Sequence, residues 1–185
     1  MLKEIRVFAL LEKQRALLSK EQETELFSQN FAEDGFPKLL SYKLSLDGGE
    51  ILMSDAGSSL DKWYDMGFSK PDRMNFACEM LKQMIPVLHR LHDLGFSHGD
   101  IKPENICAKH DAKGNLKFTL IDFGVSLKLF QFGKKQNNEV FRGNLNFASP
   151  EHLMNCRASR IDDVYSLLCV AYKFIFHWLP WEEYI

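Results

Sequence analysis

Apolar residues recur at helical spacing at the start of the chain. From Leu2 to about Glu12 the recurrence predicts an amphipathic helix. The stripe expected to face the core consists of Leu2, Ile5, Phe8 and Ala9. The polar run from Lys20 to Glu25 follows, and we expect it to be a solvated extension.

A second helical pattern begins at Ser69-Lys70-Pro71-Asp72, which supplies a cap residue, an early proline and an acidic first turn. Apolar residues then recur three and four positions apart until Gly95, the expected end of the helix. This stripe consists of Ala77, Met80, Leu81, Met84, Ile85, Leu88 and Leu91. Pro86 lies inside the pattern, where a proline removes a backbone hydrogen bond and favours a kink.

Short apolar runs predict two β-hairpins. The first joins Leu39 to Leu46 with Glu50 to Ser54 through an Asp-Gly-Gly turn. The second joins Ile106-Cys107-Ala108 with Phe118 to Ile121 through a polar turn. This second hairpin would bring the residues just after it back beside the residues just before it.

The most apolar stretch runs from Val164 to Trp181. Lys173 and His177 interrupt it and Pro180 closes it, whereas a membrane span needs about 20 predominantly apolar residues. We therefore expect a helix that is buried on most sides in a protein core.

Composition adds few constraints. The 185 residues are enough for one core, and a formal net charge of -2 gives no global attraction to nucleic acid or to an anionic membrane. Four cysteines without a C-x-x-C pair, and no apparent signal peptide, favour a cytoplasmic or nuclear protein. The pairs His89/His92 and His152/Cys156 have zinc-like spacing, but the whole catalytic segment described next separates them.

One loop concentrates chemically useful side chains: His98-Gly99-Asp100-Ile101-Lys102-Pro103-Glu104-Asn105. Asp100 can orient an attacking hydroxyl and accept its proton. Lys102 points the same way in an extended segment and can neutralise a transferring phosphate. Asn105, and Asp122 just after the second hairpin, offer hard oxygen ligands that suit Mg²⁺. The loop residues alone would also fit a plain surface turn, but together with Asp122 they predict phosphoryl transfer.

That loop and Ile121-Asp122-Phe123-Gly124, in this order, resemble the catalytic and metal-binding loops of protein kinases. Other segments are similar to the casein kinase I family in particular. They are Ala56-Gly57-Ser58-Ser59-Leu60, Gly143-Asn144-Leu145-Asn146-Phe147-Ala148-Ser149-Pro150-Glu151-His152, Ser159-Arg160-Ile161-Asp162-Asp163-Val164-Tyr165-Ser166-Leu167 and Leu179-Pro180-Trp181. Ser149-Pro150-Glu151 stands in place of Ala-Pro-Glu.

The resemblance implies an α+β, protein kinase-like fold that is mostly the helical C-lobe. Residues 1–54 would be the remnant of an N-lobe, a helix plus two strands, and residues 55–185 the hinge and the C-lobe through the large buried helix. It implies ATP and Mg²⁺ as cofactors and transfer of the γ-phosphate to Ser or Thr of a protein substrate. Neither nucleic acid nor a membrane is an expected partner, and the sequence does not indicate an oligomeric state.

The resemblance also implies roles for single residues. Asp100 and Lys102 would be catalytic, and Asn105 and Asp122 would hold Mg²⁺. The residues implied to bind ATP are Ser54, Asp55 and Ala56 in the hinge, Met53 behind it, and Cys107 in the adenine floor.

Three supporting roles follow from the same resemblance. Asp163 would anchor the backbone of the catalytic loop from the buried helix. His98 would pack against Phe123 rather than act as an acid or base. Glu4 would be the helix glutamate that pairs with an ATP-binding lysine.

The sequence departs from the kinase pattern at both ends. No glycine-rich strand or ATP-binding lysine precedes Glu4, so the alternatives are a fragment, a truncated gene model, or an impaired kinase that serves as a binding module. The final helices of the C-lobe are also absent, so we expect apolar faces around Leu167, Val170 and Phe174 to be uncovered. A small-molecule phosphotransferase similar to aminoglycoside or choline kinases is a further alternative, although such enzymes usually lack a lysine at the position of Lys102.

Two features argue against control by activation-loop phosphorylation. Gly99 stands where many kinases have an arginine that meets a phosphorylated loop. Ser126 is the only hydroxyl side chain between Gly124 and Ser149. Asn144 and Asn146 replace the Thr and Arg of the casein kinase I pattern, so a preference for acidic or phosphorylated substrates is not expected to carry over.

Overall fold

The computed structural model describes residues 1–21, 35–45, 48–64, 66–129 and 140–184. Four α-helices, seven β-strands and three short 3-10 helices make up the regular structure of these residues. The helices are α1 (Leu2–Glu21), α2 (Lys70–Asp93), α3 (Pro150–Asn155) and α4 (Arg160–Phe176). The strands are β1 (Leu39–Ser45), β2 (Gly48–Met53), β3 (Ser58–Ser59), β4 (Phe96–Ser97), β5 (Ile106–His110), β6 (Leu116–Leu120) and β7 (Leu127–Lys128).

All strand pairs are antiparallel and form three small sheets. Strands β1 and β2 form a hairpin, β3, β5 and β6 form a three-stranded sheet in that order, and β4 pairs with β7. Both predicted hairpins are therefore present, although Leu46 and Asp47 of the first turn lie outside the described residues. The mixture of helices and small antiparallel sheets agrees with the predicted α+β class.

The core forms where α2 packs against α4 and against the β5–β6 hairpin. Helix α2 begins at Ser69, whose hydroxyl oxygen accepts a hydrogen bond from the backbone N–H of Asp72, as the cap sequence predicts. It is continuous through Pro86 and is followed by Gly95, which has a positive φ of 84°. The predicted stripe is buried or partly buried except at Ile85, which is 51 % exposed.

Helix α1 buries a face that overlaps the predicted one at Phe8 but not at Leu2 or Ala9. Val7, Phe8 and Leu11 are at most 1 % exposed, whereas Leu2 is 65 % exposed and Ala9 is also on the surface. Residues 7, 8 and 11 share one face at helical spacing, so the buried face is centred to one side of the predicted stripe and shares Phe8 with it. The helix also extends to Glu21, and the part of the polar run after Glu21 lies outside the described residues.

Helix α4 corrects two expectations. It ends at Phe176 instead of reaching Trp181, because His177 adopts the left-handed conformation that closes the helix. Leu167, Val170 and Phe174 are at most 1 % exposed because they face the core of this chain.

The helix is not buried on most sides, since its opposite face is accessible. The apolar residues of that face are Ile161, Val164, Leu168, Tyr172 and Phe176. Within the described ranges, no helix combines the length and the apolar character needed to cross a bilayer.

Strand β6 lies at the edge of its sheet, and Gln83 of α2 pairs with its outward backbone groups. The side-chain nitrogen of Gln83 donates to the carbonyl of Leu116 at 2.9 Å, and its side-chain oxygen accepts from the N–H of Phe118 at 3.1 Å. The N–H of Leu120 donates to the carbonyl of Gly35 at 2.8 Å. These bonds fix the β5–β6 hairpin against α2 and so position the residues at both of its ends.

Candidate active site

The loop that follows β4 is anchored to α4 by one buried carboxylate. Asp163 is 1 % exposed and accepts hydrogen bonds from the backbone N–H groups of His98, at 2.8 Å, and Gly99, at 2.9 Å. The side chain of His92 lies 2.8 Å from the same carboxylate. The predicted anchoring role of Asp163 is therefore confirmed, and the contact of His92 with the same carboxylate was not predicted.

Asp100 presents its two carboxylate oxygens to different surroundings. Oδ2 lies 2.8 Å from Nζ of Lys102 and accepts a hydrogen bond from the amide nitrogen of Asn105 at 3.1 Å. That amide nitrogen also donates to the backbone carbonyl of Asp100 at 2.8 Å. Oδ1 is buried and accepts no hydrogen bond from the described residues. Oδ2 is thus held in place, whereas Oδ1 is buried with its hydrogen-bonding capacity unused by the described residues.

Lys102 stays protonated in this setting. Burial alone would lower the pKa of its ammonium group, but the hydrogen bond and charge of Asp100, with the charges of Glu104 and Asp122, raise that pKa above its ordinary value. A permanent positive charge is therefore held beside the carboxylate of Asp100 and within the electrostatic influence of Asp122. Such a charge can neutralise an anionic group that enters the site.

The β5–β6 hairpin returns the chain to Asn105, as the sequence predicts. The backbone N–H of Ile121 donates to the carbonyl of Asn105 at 3.0 Å, which brings Asp122 into the same cluster. Asp122 adopts a left-handed backbone conformation with φ of 65°. That conformation is uncommon for residues other than glycine and is concentrated at functional sites. Oδ1 of Asp122 accepts a hydrogen bond from the N–H of Gly124 at 3.1 Å, which fixes the carboxylate.

The buried ring of Phe123 fixes the segment that contains Asp122. Phe123 is fully buried, and its ring makes edge-to-face contacts with Phe8 and with His98, each at 5.4 Å between centroids. The expected packing of His98 on Phe123 is therefore confirmed. Through Phe8 the segment also contacts α1, so this helix packs directly against the predicted metal-binding loop.

Glu4 of α1 lies beside the same segment. Burial raises the pKa of its carboxyl group, the negative charge of Asp122 raises it further, and a hydrogen bond with the backbone of Phe123 lowers it. Glu4 therefore lies on the active-site side of α1.

Asn105 and Asp122 fit a magnesium ion in chemical type. The amide nitrogen of Asn105 is turned to Asp100, so its amide oxygen faces away from Asp100, and Asp122 adds a carboxylate. Mg²⁺ usually takes only one or two carboxylates from the protein and completes its shell with water and phosphate oxygens. Across the described parts of the chain there is no group of three or more His, Cys, Asp or Glu side chains placed to hold a metal ion by itself.

The predicted hinge leaves β2 at Met53 and is held by contacts near the surface. The N–H of Ser54 donates to the carbonyl of Lys38 at 2.8 Å, and its hydroxyl oxygen accepts from the N–H of Lys38 at 2.9 Å. The ammonium group of Lys109 donates to the carbonyl of Asp55 at 2.6 Å. In the described residues, no hydrogen bond uses the backbone N–H or carbonyl of Ala56.

Cys107 lies on β5 directly across from Ser59 of β3, next to the hinge in the sheet. It is 4 % exposed, and burial raises the pKa of its thiol, so it stays protonated at neutral pH. A buried, neutral side chain suits the predicted adenine floor and does not suit a reactive thiol.

The predicted site residues thus form two groups. Asp100, Lys102, Asn105 and Asp122 are joined through the contacts above, whereas Met53, Ser54, Asp55, Ala56 and Cys107 surround the end of β2 and the start of β3. A cavity of about 610 Å³ includes Ser54 and Asp55 in its lining and lies on the side of the hinge that faces α2. No residue of the Asp100–Asp122 cluster lines it.

The segment before α3 is attached to the site by contacts that the sequence did not reveal. The hydroxyl of Ser149 donates to the carboxylate of Asp162 and also caps α3 by accepting from the N–H of His152 at 3.0 Å. Burial alone would raise the pKa of Asp162, but its hydrogen bonds with Ser149 and Ser159 lower it. Ser126 is 3 % exposed and donates to the carbonyl of His98 at 3.3 Å, so its hydroxyl is committed to the interior.

Comparison with known proteins agrees with this geometry. The fold and the cluster define a phosphotransferase-like site, and residues 53–184 match the model of the protein kinase domain. The chain belongs to the protein kinase family.

Among its relatives, the chain is similar to casein kinase 1-like protein HD16 of Oryza sativa subsp. japonica, with 34 % identity over 159 residues. It is also 31 % identical over 122 residues to the probable serine/threonine-protein kinase mps1 of Dictyostelium discoideum. The matches cover 81 % and 60 % of this chain but only 22 % and 12 % of the relatives.

A solved structure, that of vaccinia related kinase 3, shares the fold with a TM-score of 0.65. The alignment covers 91 % of this chain and 52 % of that one, with 21 % sequence identity. The predicted protein kinase-like fold is therefore confirmed.

Proposed function

We propose that this chain carries the catalytic machinery for transfer of the ATP γ-phosphate to a Ser or Thr hydroxyl of a protein substrate, in the manner of a casein kinase I-like enzyme. The observation that carries the proposal is the arrangement of Asp100. Lys102 and Asn105 hold Oδ2, and the buried Oδ1 has no hydrogen-bond donor among the described residues, so it is the oxygen that would accept the hydrogen of a substrate hydroxyl once the site admits one. Phosphoryl transfer depends mostly on positioning and charge, which such a fixed carboxylate supplies.

Each residue of the cluster then has one task. Asp100 orients the hydroxyl and accepts its proton, and Lys102 stabilises negative charge on the transferred group. Asn105 and Asp122 would hold Mg²⁺, which neutralises phosphate oxygens when it is bound. The left-handed backbone of Asp122 and its bond from Gly124 hold the carboxylate ready for that role.

ATP would enter beside the hinge. The backbone groups of Ala56, which are not engaged by the described residues, can pair with the adenine edge, with Ser54 and Asp55 shaping the hinge and Met53 behind it. Cys107 would form the apolar floor. In the same scheme residues 1–54 form the N-lobe portion and residues 55–185 the hinge and C-lobe, in a cytoplasmic or nuclear protein.

The proposal is tested by the thermal stability of the chain with and without Mg-ATP. At about 100 times its dissociation constant, a ligand stabilises the folded state by about 2.7 kcal/mol. Asp122→Asn should remove most of the part that depends on magnesium. Glu104→Gln is the matched control, because Glu104 is an exposed carboxylate on the same loop.

Transfer is measured separately, with labelled ATP and a library of Ser/Thr peptides. Asp100→Asn should lower the rate by about 10²–10⁴-fold while the shift with Mg-ATP persists. Binding of Mg-ATP without transfer by the unmodified chain would favour the alternative of a binding module. Transfer to aminoglycosides or choline instead of peptides would favour the small-molecule alternative. Absence of both binding and transfer would contradict the proposal.

A further inference from the structure

The Leu179-Pro180-Trp181 motif lies outside the candidate active site but contacts a segment that borders it. Residues 143–148, which we call the bordering segment, run past the catalytic loop. A Cβ atom placed on Gly143 would lie only 2.7 Å from the carbonyl oxygen of Gly99, so only a glycine permits this approach. The bordering segment therefore passes directly against the residue before Asp100.

The bordering segment is a tight turn that presents one apolar side chain. The backbone N–H groups of Phe147 and Ala148 donate to the carbonyl of Asn144 at 3.2 and 3.0 Å. The side-chain oxygen of Asn144 accepts a hydrogen bond from the N–H of Asn146 at 2.9 Å. Leu145 is 50 % exposed, whereas Phe147 and Ala148 are buried. An exposed side chain on such a turn, beside the catalytic loop, can contact a residue next to the reacting hydroxyl of a substrate.

The carbonyl groups of the turn are held by side chains from the far end of the chain. The indole nitrogen of Trp181 donates to the carbonyl of Asn146 at 2.8 Å. The hydroxyl of Ser166 lies 2.7 Å from the carbonyl oxygen of Phe147 and 2.9 Å from that of Asp162, so its single hydrogen is shared between them. Trp181 is therefore the donor that is committed to the turn.

Trp181 is itself fixed to α4. Its ring stacks on Tyr165 of that helix, with 6.4 Å between centroids and 21° between planes. The next residue, Glu182, forms an ion pair with Lys173 of α4 and accepts a hydrogen bond from the N–H of Leu179 at 3.0 Å. The helix that anchors the catalytic loop thus also fixes the donor that holds the bordering segment.

We propose that Trp181 is a positioning residue for the protein substrate: its indole N–H holds the turn so that Leu145 meets a residue next to the reacting hydroxyl. The substrate part of this inference rests on the proposed kinase function, whereas the holding of the turn does not. The hydrogen bond and the ring contact of the Trp181 side chain involve neither the Asp100–Asp122 cluster nor the hinge. Its loss should therefore affect the protein substrate and leave nucleotide binding unchanged.

The first test is hydrogen–deuterium exchange of the chain without nucleotide. Trp181→Phe keeps an aromatic ring and removes the N–H, so the carbonyl of Asn146 loses its donor. We expect the amides of the bordering segment to exchange at least about threefold faster, while those of α2 are unchanged. Trp178→Phe is the matched control, because Trp178 is 53 % exposed and its ring contacts Tyr172.

The second test measures transfer to the best substrate of a Ser/Thr peptide library, with peptide and ATP varied separately. Trp181→Phe should raise the KM for peptide at least about fivefold and leave the KM for ATP within about twofold. Leu145→Asn should have the same effect, because it removes the apolar side chain that the turn presents. Met154→Asn is its control, since Met154 is 74 % exposed on α3 and lies outside the bordering segment.

The outcomes separate this inference from the kinase function on which it rests. Exchange that is unchanged in Trp181→Phe would overturn the positioning role whatever the activity of the chain. Transfer with an unchanged KM for peptide would overturn the substrate role of Trp181 and leave the kinase function intact. So would equal rises of the KM values for peptide and ATP, because they indicate a general structural loss.

If the unmodified chain transfers no phosphate, the kinase function fails and the substrate role of Trp181 fails with it. Faster exchange in Trp181→Phe would still show that the indole N–H holds the turn. Circular dichroism melting of each variant shows whether it is folded under the conditions of both tests.

Discussion

The catalytic loop and the hinge are both short connecting segments, but they are held in opposite ways. The catalytic loop depends on a buried carboxylate, Asp163, which is 1 % exposed and lies more than sixty positions away in sequence. The hinge depends on the surface side chain of Lys109 and on a pair of bonds between Ser54 and Lys38. Water competes with the hinge contacts and is excluded from those of Asp163, so the positioning of Asp100 should be the more sensitive to mutation.

The largest expected effect comes from replacing one aspartate in each region by leucine. Asp163→Leu leaves His92 and two backbone N–H groups without their buried acceptor, and removing one partner of a buried pair costs about 3–5 kcal/mol. Urea denaturation should show this as a lower midpoint of unfolding. Asp55→Leu changes a side chain that is 82 % exposed, and water can replace its contacts with Lys109 and the N–H of Gly57, so the midpoint should be almost unchanged. Similar losses from the two variants would show that burial does not distinguish the two segments.

A smaller change in stability is expected from pH, because His152 is buried near the carboxylates of Asp162, Asp163 and Asp100. Burial lowers the pKa of this imidazole, and the nearby charges of Asp162, Asp163 and Asp100 offset only part of that shift. As pH falls below about 6.5, the unfolded chain takes up a proton that the folded chain does not, so stability decreases.

We therefore expect the urea midpoint to fall between pH 7 and about 5.5, and His152→Gln to flatten that dependence. The slope for one proton is at most about 1.4 kcal/mol per pH unit. At lower pH, Glu4 has the opposite effect on stability. Because the pKa of its carboxyl group is raised in the folded state, the folded chain takes up this proton before the unfolded chain does, which favours folding. A dependence that is unchanged in His152→Gln would assign the effect to another group.

The smallest effect is expected in the hinge itself. Ser54→Ala removes the acceptor for the N–H of Lys38, which lies near the surface and can bind water instead. We expect a loss of no more than about 0.5–1.5 kcal/mol, measured by urea denaturation. Ser58→Ala, an exposed serine of β3 with no hydrogen bond of its side chain among the described residues, is the control. A loss as large as that of Asp163→Leu would contradict the view of the hinge as a weakly held segment.

The sequence predicted the active-site cluster better than it predicted the helix faces. Asp100, Lys102 and Asn105 lie within six residues of one another, and the short hairpin strands that return Asp122 to them are visible as apolar runs. Local spacing therefore determines this part of the site. The predicted roles of these residues, like those of the hinge, await the measurements above.

The parts that sequence reasoning missed are held by contacts between distant residues. Phe8 of α1 packs against Phe123, more than a hundred positions away, and helical periodicity alone could not show that Val7 rather than Ala9 is buried with it. The spacing of His92 from His89 resembles a zinc-ligand pair, whereas the side chain of His92 contacts Asp163. Ser149 was recognised only as part of a family segment, because nothing local indicates that its hydroxyl reaches Asp162.

The pairing of Gln83 with the outer edge of β6 has a consequence for how the molecule behaves among its own copies. A strand that ends a sheet offers a row of free amide and carbonyl groups on which another polypeptide can build. Here one glutamine side chain supplies both a donor and an acceptor to that row, and the carbonyl of Gly35 takes the next amide. The neighbouring helix and loop thus occupy these backbone groups, so the edge of β6 cannot pair with a strand of another copy at these positions.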